Sequence, residues 1–199
     1  MEVRVMSKTT NVLIVGVGGQ GTLLASKLLG NAMTNSGHDV KVSEIHGMSQ
    51  RGGSVVTYVR FGPKVYSPVI ERGSADIMVS FEKLEAARFL PYLKKSGYVI
   101  ANNQRIDPIP VITGKCEYPE NILDKIKAKE VSVIEVNALK YAEKAGSTKS
   151  VNVVLMGCLA KILGNQKDVW IESIKDSVSK EFIELNINAF ILGYNSLTI

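Results

Sequence analysis

The sequence offers little that could hold a metal. Cysteine occurs twice in 199 residues, at Cys116 and Cys158, and histidine also occurs twice. The two cysteines match no zinc or cluster spacing, so the chain is expected to bind no metal and no four-cysteine cluster by itself. So few cysteines give no disulfide framework and point to a reducing, cytoplasmic setting. No apolar run reaches the roughly 18 residues that would suggest a membrane span. The first residues, MEVRVMSKTT, lack the apolar segment of a secretory signal. Internal repeats and low-complexity segments are missing too. So is any basic tract interleaved with aromatics, and neither nucleic acid nor membrane is expected as a partner.

What remains has the composition of an ordinary globular protein: 45% apolar and 22% charged residues. The length suits one sizeable α/β domain. Net charge is +5 and the isoelectric point is about 9.1. The lysines are dispersed (Lys94, Lys95, Lys125, Lys127, Lys129, Lys161, Lys175). Dispersed lysines fit solvated helix faces, with attraction to an acidic partner or an anionic cofactor as the alternative.

NVLIVGV (11–17) is a β-branched run that stops at glycine and reads as a buried strand. From Gln20 to Asn35 the pattern is helical, and Gly37 ends it. DVKVSEI (39–45) alternates as a second strand. This is the opening of an open, mostly parallel, Rossmann-like α/β sheet with helices on both faces. The pattern then breaks. No helix follows strand two; a Gly-rich loop leads directly to SVVTYVRFG (54–62). Gly62-Pro63 marks a turn, and KVYSPVI (64–70) is expected to fold back as the second arm of an inserted β-hairpin, at an edge because of Pro68. Strand–helix alternation resumes at ADIMVSF (75–81). EKLEAARFLPYLKK is read as a helix that Pro91 kinks or ends. GYVIANN is a strand, PENILDKIKAKE a helix, VSVIEVN a strand, and ALKYAEKAG a short helix closed by Gly146. SVNVVLMGCLAKILG (150–164), apolar almost all round, is expected to be a buried helix. Two more helices, in 168–179 and 180–197, finish the chain. The last carries a wide apolar stripe (Phe182, Leu185, Phe190, Tyr194), which suits either this domain's own core or a subunit contact.

Gly16-Val17-Gly18-Gly19-Gln20-Gly21 satisfies G-x-G-x-x-G between a strand and a helix. Glycines there permit a tight turn and close backbone approach, and the helix start offers free N–H groups to an anion. Glu44, at the end of strand two, stands where a dinucleotide enzyme keeps its ribose-binding acid. A nicotinamide cofactor, a different anionic ligand, and glycines that serve only packing all remain open. The missing helix after strand two weighs against the first. The second loop, 43–62, brings His46, Ser49, Gln50 and Arg51. Strand two is expected to end beside strand one, so that both loops face one pocket or interface. Arg51 would supply a positive fork for phosphate or carboxylate. Gln50, Ser49 and His46 would serve as neutral donors or acceptors, or would simply fasten the loop's own backbone. Ser49 and His46 have no carboxylate placed to make a catalytic triad with them.

Taken together, VLIVGVGGQGTLLASKLLGNA, SEIHGMSQRGGSVVTYVRFG and YAEKAGSTKSVNVVLMGCLAKIL resemble the gamma-type subunit of the 2-oxoacid:ferredoxin oxidoreductases, in its indolepyruvate branch. The resemblance runs from about residue 11 to 164 and makes residues 1–199 a single gamma-type domain. It implies a complex that oxidatively decarboxylates arylpyruvates with thiamine diphosphate. Such a complex passes electrons through [4Fe-4S] clusters to ferredoxin and forms an acyl-CoA. This chain has neither the cysteines nor a thiamine-binding motif, so the resemblance assigns those groups to a larger alpha subunit. It leaves to Gly16, Gly18, Gly19, Gln20, Gly21 and Arg51 the binding of an anion such as the diphosphate of CoA, the co-substrate. Glu44, His46, Ser49 and Gln50 would line the pocket or interface, and no catalytic residue is assigned to this chain. A free-standing NAD(P)-dependent enzyme and a pure interaction scaffold are the competing readings.

Overall fold

The computed structural model describes residues 8–46 and 52–197. Six strands form one sheet: β1 (Thr10–Val17), β2 (Asp39–His46), β3 (Ser54–Gly62), β4 (Ala75–Ser80), β5 (Leu93–Asn102) and β6 (Ser132–Val136). Their order is β2-β3-β1-β4-β5-β6. β1, β4, β5 and β6 are mutually parallel, whereas β3 runs antiparallel to both β1 and β2. β1 is central and buried along its whole length. A strand covered on both faces needs continuous apolar residues rather than alternation, which is what Val12–Val17 supplies.

The helices divide unequally between the faces. α1 (Thr22–Asn35), α5 (Ala138–Ala145), α6 (Val151–Leu163), α7 (Lys167–Ser177) and α8 (Ile183–Asn195) bury Val12, Ile14, Val59, Phe61 and Val79. α2 (Lys83–Phe89), a short α3 (Ile109–Ile112) and α4 (Ile122–Lys127) lie over Leu13, Val15, Val56, Met78 and Val99. α6 is buried through nine successive residues, Asn152 to Ala160. α8 crosses it at two glycines: a Cβ on Gly193 would lie 2.0 Å from the Val154 carbonyl oxygen, and one on Gly157 would lie 2.2 Å from that of Phe190. The stripe of the last helix is therefore largely consumed inside this chain. Phe190 is fully buried, Ile187, Ile191 and Tyr194 pack against the same core, and Phe182 stays exposed.

One expectation about the strands needs correction here. The segment 64–70 is not a strand, and β3 forms its hairpin with β2 instead. Side chains fasten 64–70 in place of a ladder. The Asp39 carboxylate accepts the Val65 N–H at 2.9 Å, and the Arg60 guanidinium donates to the carbonyls of Ser67 and Val69 at 2.8 and 3.0 Å. Pro68 has no N–H for a ladder in any case. The helix that Pro91 was expected to kink or end stops at Phe89. A 3-10 turn over Leu90–Tyr92 contains Pro91, and β5 begins at Leu93, opposite Ala75 of β4.

Candidate functional site

The carboxyl ends of the parallel strands form one edge of the sheet, and the glycine loop sits there. Val17 ends β1 and Gly21 precedes α1. The left-handed turns of the loop fall at Gly19 (φ 102°) and Gly21 (φ 82°). Gly19 is exposed, with open space where a Cβ would be, whereas a Cβ on Gly21 would lie 2.6 Å from the Asn152 amide nitrogen. Asn152, near the start of α6, donates to the Gly21 carbonyl at 3.2 Å. Gly16 is needed for packing: a Cβ there would stand 2.9 Å from Gln20 Oε1 and 3.0 Å from Phe81 Cβ. The Gly21 cap provides no side-chain hydrogen bond to α1, and the first turn carries no acidic residue. The start of α1 thus keeps the partial positive charge that attracts anions.

Gln20 serves the loop's architecture. Its Oε1 accepts the Val17 N–H at 2.7 Å, and its Nε2 donates to the Phe81 carbonyl and to Gln104 Oε1, both at 3.1 Å. Asn102 Nδ2 joins the same two acceptors, and its Oδ1 takes the Ala138 N–H at the start of α5. One amide network therefore ties together the ends of β1, β4 and β5. Both donors of Gln20 are engaged, which leaves its amide no N–H for a ligand.

The two glycine loops touch. The Gly18 N–H donates to the Gly53 carbonyl at 2.8 Å, and the Gly52 N–H donates to the Gly18 carbonyl at 3.4 Å. These bonds continue the β1–β3 ladder, whose last rung is Val17 opposite Ser54. Ser54 then donates to the carboxylate of Glu85, which is 4% exposed and also accepts from Arg88 Nε at 3.0 Å. The stem of the second loop is held from both sides, by Gly18 and by α2. Sequence reading missed Glu85, although an acid on the apolar side of a short helix was a visible signal.

The expectation that strand two ends beside strand one is overturned, because β3 lies between them. Glu44 stands opposite Thr57 of β3, and Thr57 stands opposite Ile14 of β1. With strands about 4.8 Å apart, Glu44 is a full strand further from β1 than a ribose-binding acid would be. It lines a groove instead, between β2 and α1, beside Leu23, Leu24, Lys27 and Val42. His46 closes β2 opposite Val55. Ser49, Gln50 and Arg51 lie outside the described residues.

No group of three or more His, Cys, Asp and Glu side chains among the described residues is placed to hold a metal. Cys116 is exposed and Cys158 buried. Burial pushes the Cys158 thiol up to about 11. Two cysteines are fewer than the four thiolates that hold a [4Fe-4S] cluster. No helix among the described residues is long and apolar enough to cross a membrane.

A family model described as pyruvate ferredoxin/flavodoxin oxidoreductase matches residues 11–196. The chain is 42% identical over 198 residues to the indolepyruvate oxidoreductase subunit IorB of Thermococcus kodakarensis, covering 94% of this chain and 95% of that protein. Among solved structures, the gamma subunit of a keto/oxoacid ferredoxin oxidoreductase from Geobacter sulfurreducens superposes with a TM-score of 0.70 at 20% identity, covering 94% of this chain and 96% of the other. A 2-oxoglutarate:ferredoxin oxidoreductase from Magnetococcus marinus, solved with 2-oxoglutarate, coenzyme A and succinyl-CoA bound, superposes with a TM-score of 0.75 at 19% identity. That match covers 97% of this chain and 32% of the other. In that larger chain the present fold is one part of a longer polypeptide.

Proposed function

The chain belongs to the pyruvate ferredoxin/flavodoxin oxidoreductase family, and on that footing we propose that it is the small subunit of an indolepyruvate:ferredoxin oxidoreductase. The complex converts an arylpyruvate, CoA and oxidised ferredoxin into an acyl-CoA, carbon dioxide and reduced ferredoxin. The identity to IorB over nearly the whole of both chains supports the substrate class. Thiamine diphosphate and the [4Fe-4S] clusters belong to a larger alpha subunit, in a heterodimer or a higher assembly, and ferredoxin docks through the complex. The setting is the cytoplasm.

The observation that carries this chain's own role is the contact between Gly18 and Gly53. It brings the N-terminal end of α1 and Gly52–Gly53, which follow Arg51 in sequence, to one edge of the sheet. A helix start with no acidic residue in its first turn suits the diphosphate of CoA, and Arg51 adds a guanidinium fork. Gly16, Gly18, Gly19 and Gly21 shape the cradle, Gln20 braces it, and His46, Ser49 and Gln50 line its mouth. Glu44 faces the groove beside α1 as part of the subunit contact. The whole of 1–199 acts as one gamma-type domain.

Reconstitution tests this. The isolated chain should turn over no arylpyruvate, and adding it to the separately purified larger subunit should restore CoA-dependent reduction of ferredoxin. Equal activity of the larger subunit with and without this chain overturns the reading.

A further inference from the structure

Residues 106–118 leave the end of β5 next to the glycine loop and return toward α4. One buried carboxylate closes their stem. Glu82, 1% exposed, accepts both the Ile106 N–H, at 3.2 Å, and the Tyr118 hydroxyl on its Oε1. With Oε2 it caps α2 by accepting the Glu85 N–H at 3.0 Å. The Arg105 guanidinium lies 4.4 Å from the centre of the Tyr118 ring and pairs with Asp107. The tip is wound on itself: Ile112 N–H reaches the Pro108 carbonyl at 3.1 Å, Lys115 N–H reaches that of Pro110 at 2.8 Å, and the Thr113 hydroxyl reaches that of Ile109 at 2.9 Å. Val111 turns inward against the core. Ile109 and Ile112 are left outside, 65% and 72% exposed.

Two adjacent apolar side chains thus stand in water on a turn that is fixed at stem and tip. Such pre-ordering removes most of the entropy that a flexible loop would lose on binding. The turn is also continuous with the candidate site, since Gln104, at its base, bonds Gln20 of the glycine loop. The charge beside the tip narrows the choice of partner. Lys115, Glu117 and Glu120 are exposed near it and leave one negative charge in excess, while Asp107 is already paired with Arg105. Exposed acids favour a basic rim on the partner and disfavour an anionic lipid surface.

We propose that the 106–118 turn is a docking prong that seats Ile109 and Ile112 in an apolar, basic-rimmed pocket on the larger subunit of the same oxidoreductase. The inference rests on the small-subunit reading above.

The test titrates the purified larger subunit with the wild-type chain, with Ile109→Asp/Ile112→Asp, and with Tyr66→Asp as control. Tyr66 is 89% exposed and follows β3, which runs antiparallel to β1 and so ends at the opposite edge of the sheet. The double variant should melt with the wild type when alone, yet bind the larger subunit at least about 30-fold more weakly, as loss of a central apolar anchor does. The control should bind normally. If the double variant melts early, Ile112→Ser replaces it with the same expected direction. Glu117→Lys/Glu120→Lys should weaken binding at low salt and lose that effect at high salt. Wild-type affinity in both isoleucine variants overturns the prong and leaves the small-subunit reading standing. A homodimer of the isolated chain that Ile109→Asp/Ile112→Asp dissolves would assign the prong to a second copy and overturn the inference. No association of the wild-type chain with the larger subunit overturns the underlying reading and the prong with it.

Discussion

Gly18 and Gly53 are joined backbone to backbone, with the Gly18 N–H donating to the Gly53 carbonyl at 2.8 Å. The two glycine-rich segments that stand out in the sequence are therefore the two sides of one structural edge. Gly16, Gly19 and Gly21 in that edge are there for different reasons: close packing, a left-handed turn in open space, and a left-handed turn against Asn152.

Gly21→Ala and Gly19→Ala should differ. At Gly21 the methyl meets the Asn152 amide at 2.6 Å and the backbone is at φ 82°, so both sterics and conformation oppose it. At Gly19 the space is open and only φ 102° opposes it. The expected losses are about 2–4 kcal/mol for Gly21→Ala, from strain plus a clash, and about 1 kcal/mol for Gly19→Ala. Chemical denaturation of both variants measures this, and equal losses would show that Asn152 yields freely.

Arg51→Ala should leave the melting temperature of the isolated chain nearly unchanged and act in the assembled enzyme. A charge-assisted contact is worth about 1.5–3 kcal/mol, or roughly 10- to 150-fold. A raised KM for CoA with normal assembly assigns Arg51 to the cofactor, and weakened assembly with normal KM assigns it to the interface. Behaviour identical to wild type in every assay would remove Arg51 from the site.

The isolated chain should be colourless and should not bind NADH or NADPH usefully, despite its glycine motif. The physical reason is the interposed β3, which sets Glu44 one strand away from β1. Calorimetric titration with either nucleotide checks it, and micromolar affinity, roughly 8 kcal/mol, would falsify the displacement argument. An absorption band near about 400 nm, where thiolate-bound clusters absorb, would overturn the expectation of no cluster.

Only one of the two thiols should react quickly with a disulfide reagent in the native chain. Cys116 is exposed, and Cys158 is buried with its thiol held up to about 11. The same burial gives stability a pH dependence. An unfolded thiol releases its proton near 9.0 and the native one near 11, so the native state binds more protons between those values. This contribution is intact below pH 9 and is lost as pH rises toward 11. Denaturant midpoints for wild type and Cys158→Ala across that window should converge relative to their difference at pH 8.

The strand–loop–helix start of the fold was legible because periodicity is local. Asn11–Val17 could only be a buried strand, and the helix after Gly21 and the buried helix before Gly164 show in their apolar spacing and their glycine ends. The break after strand two was also legible, because no helical pattern follows Ile45. Strand order was not, because pairing depends on register between segments distant in sequence. β3 slides between β2 and β1 because Val56, Tyr58, Val59 and Phe61 feed cores on both faces of the sheet, which an edge strand would not need. The segment 64–70 looked like a strand by composition and was claimed instead by Arg60 and Asp39, through side-chain bonds that no periodicity records. In the same way G-x-G-x-x-G announced a glycine turn, but only the fold set what it faces: Gly18 meets Gly53, Gln20 is spent on bracing three strand ends, and Glu44 is moved away from β1. Local sequence determined which elements form, and long-range pairing decided which side chains remain available for chemistry.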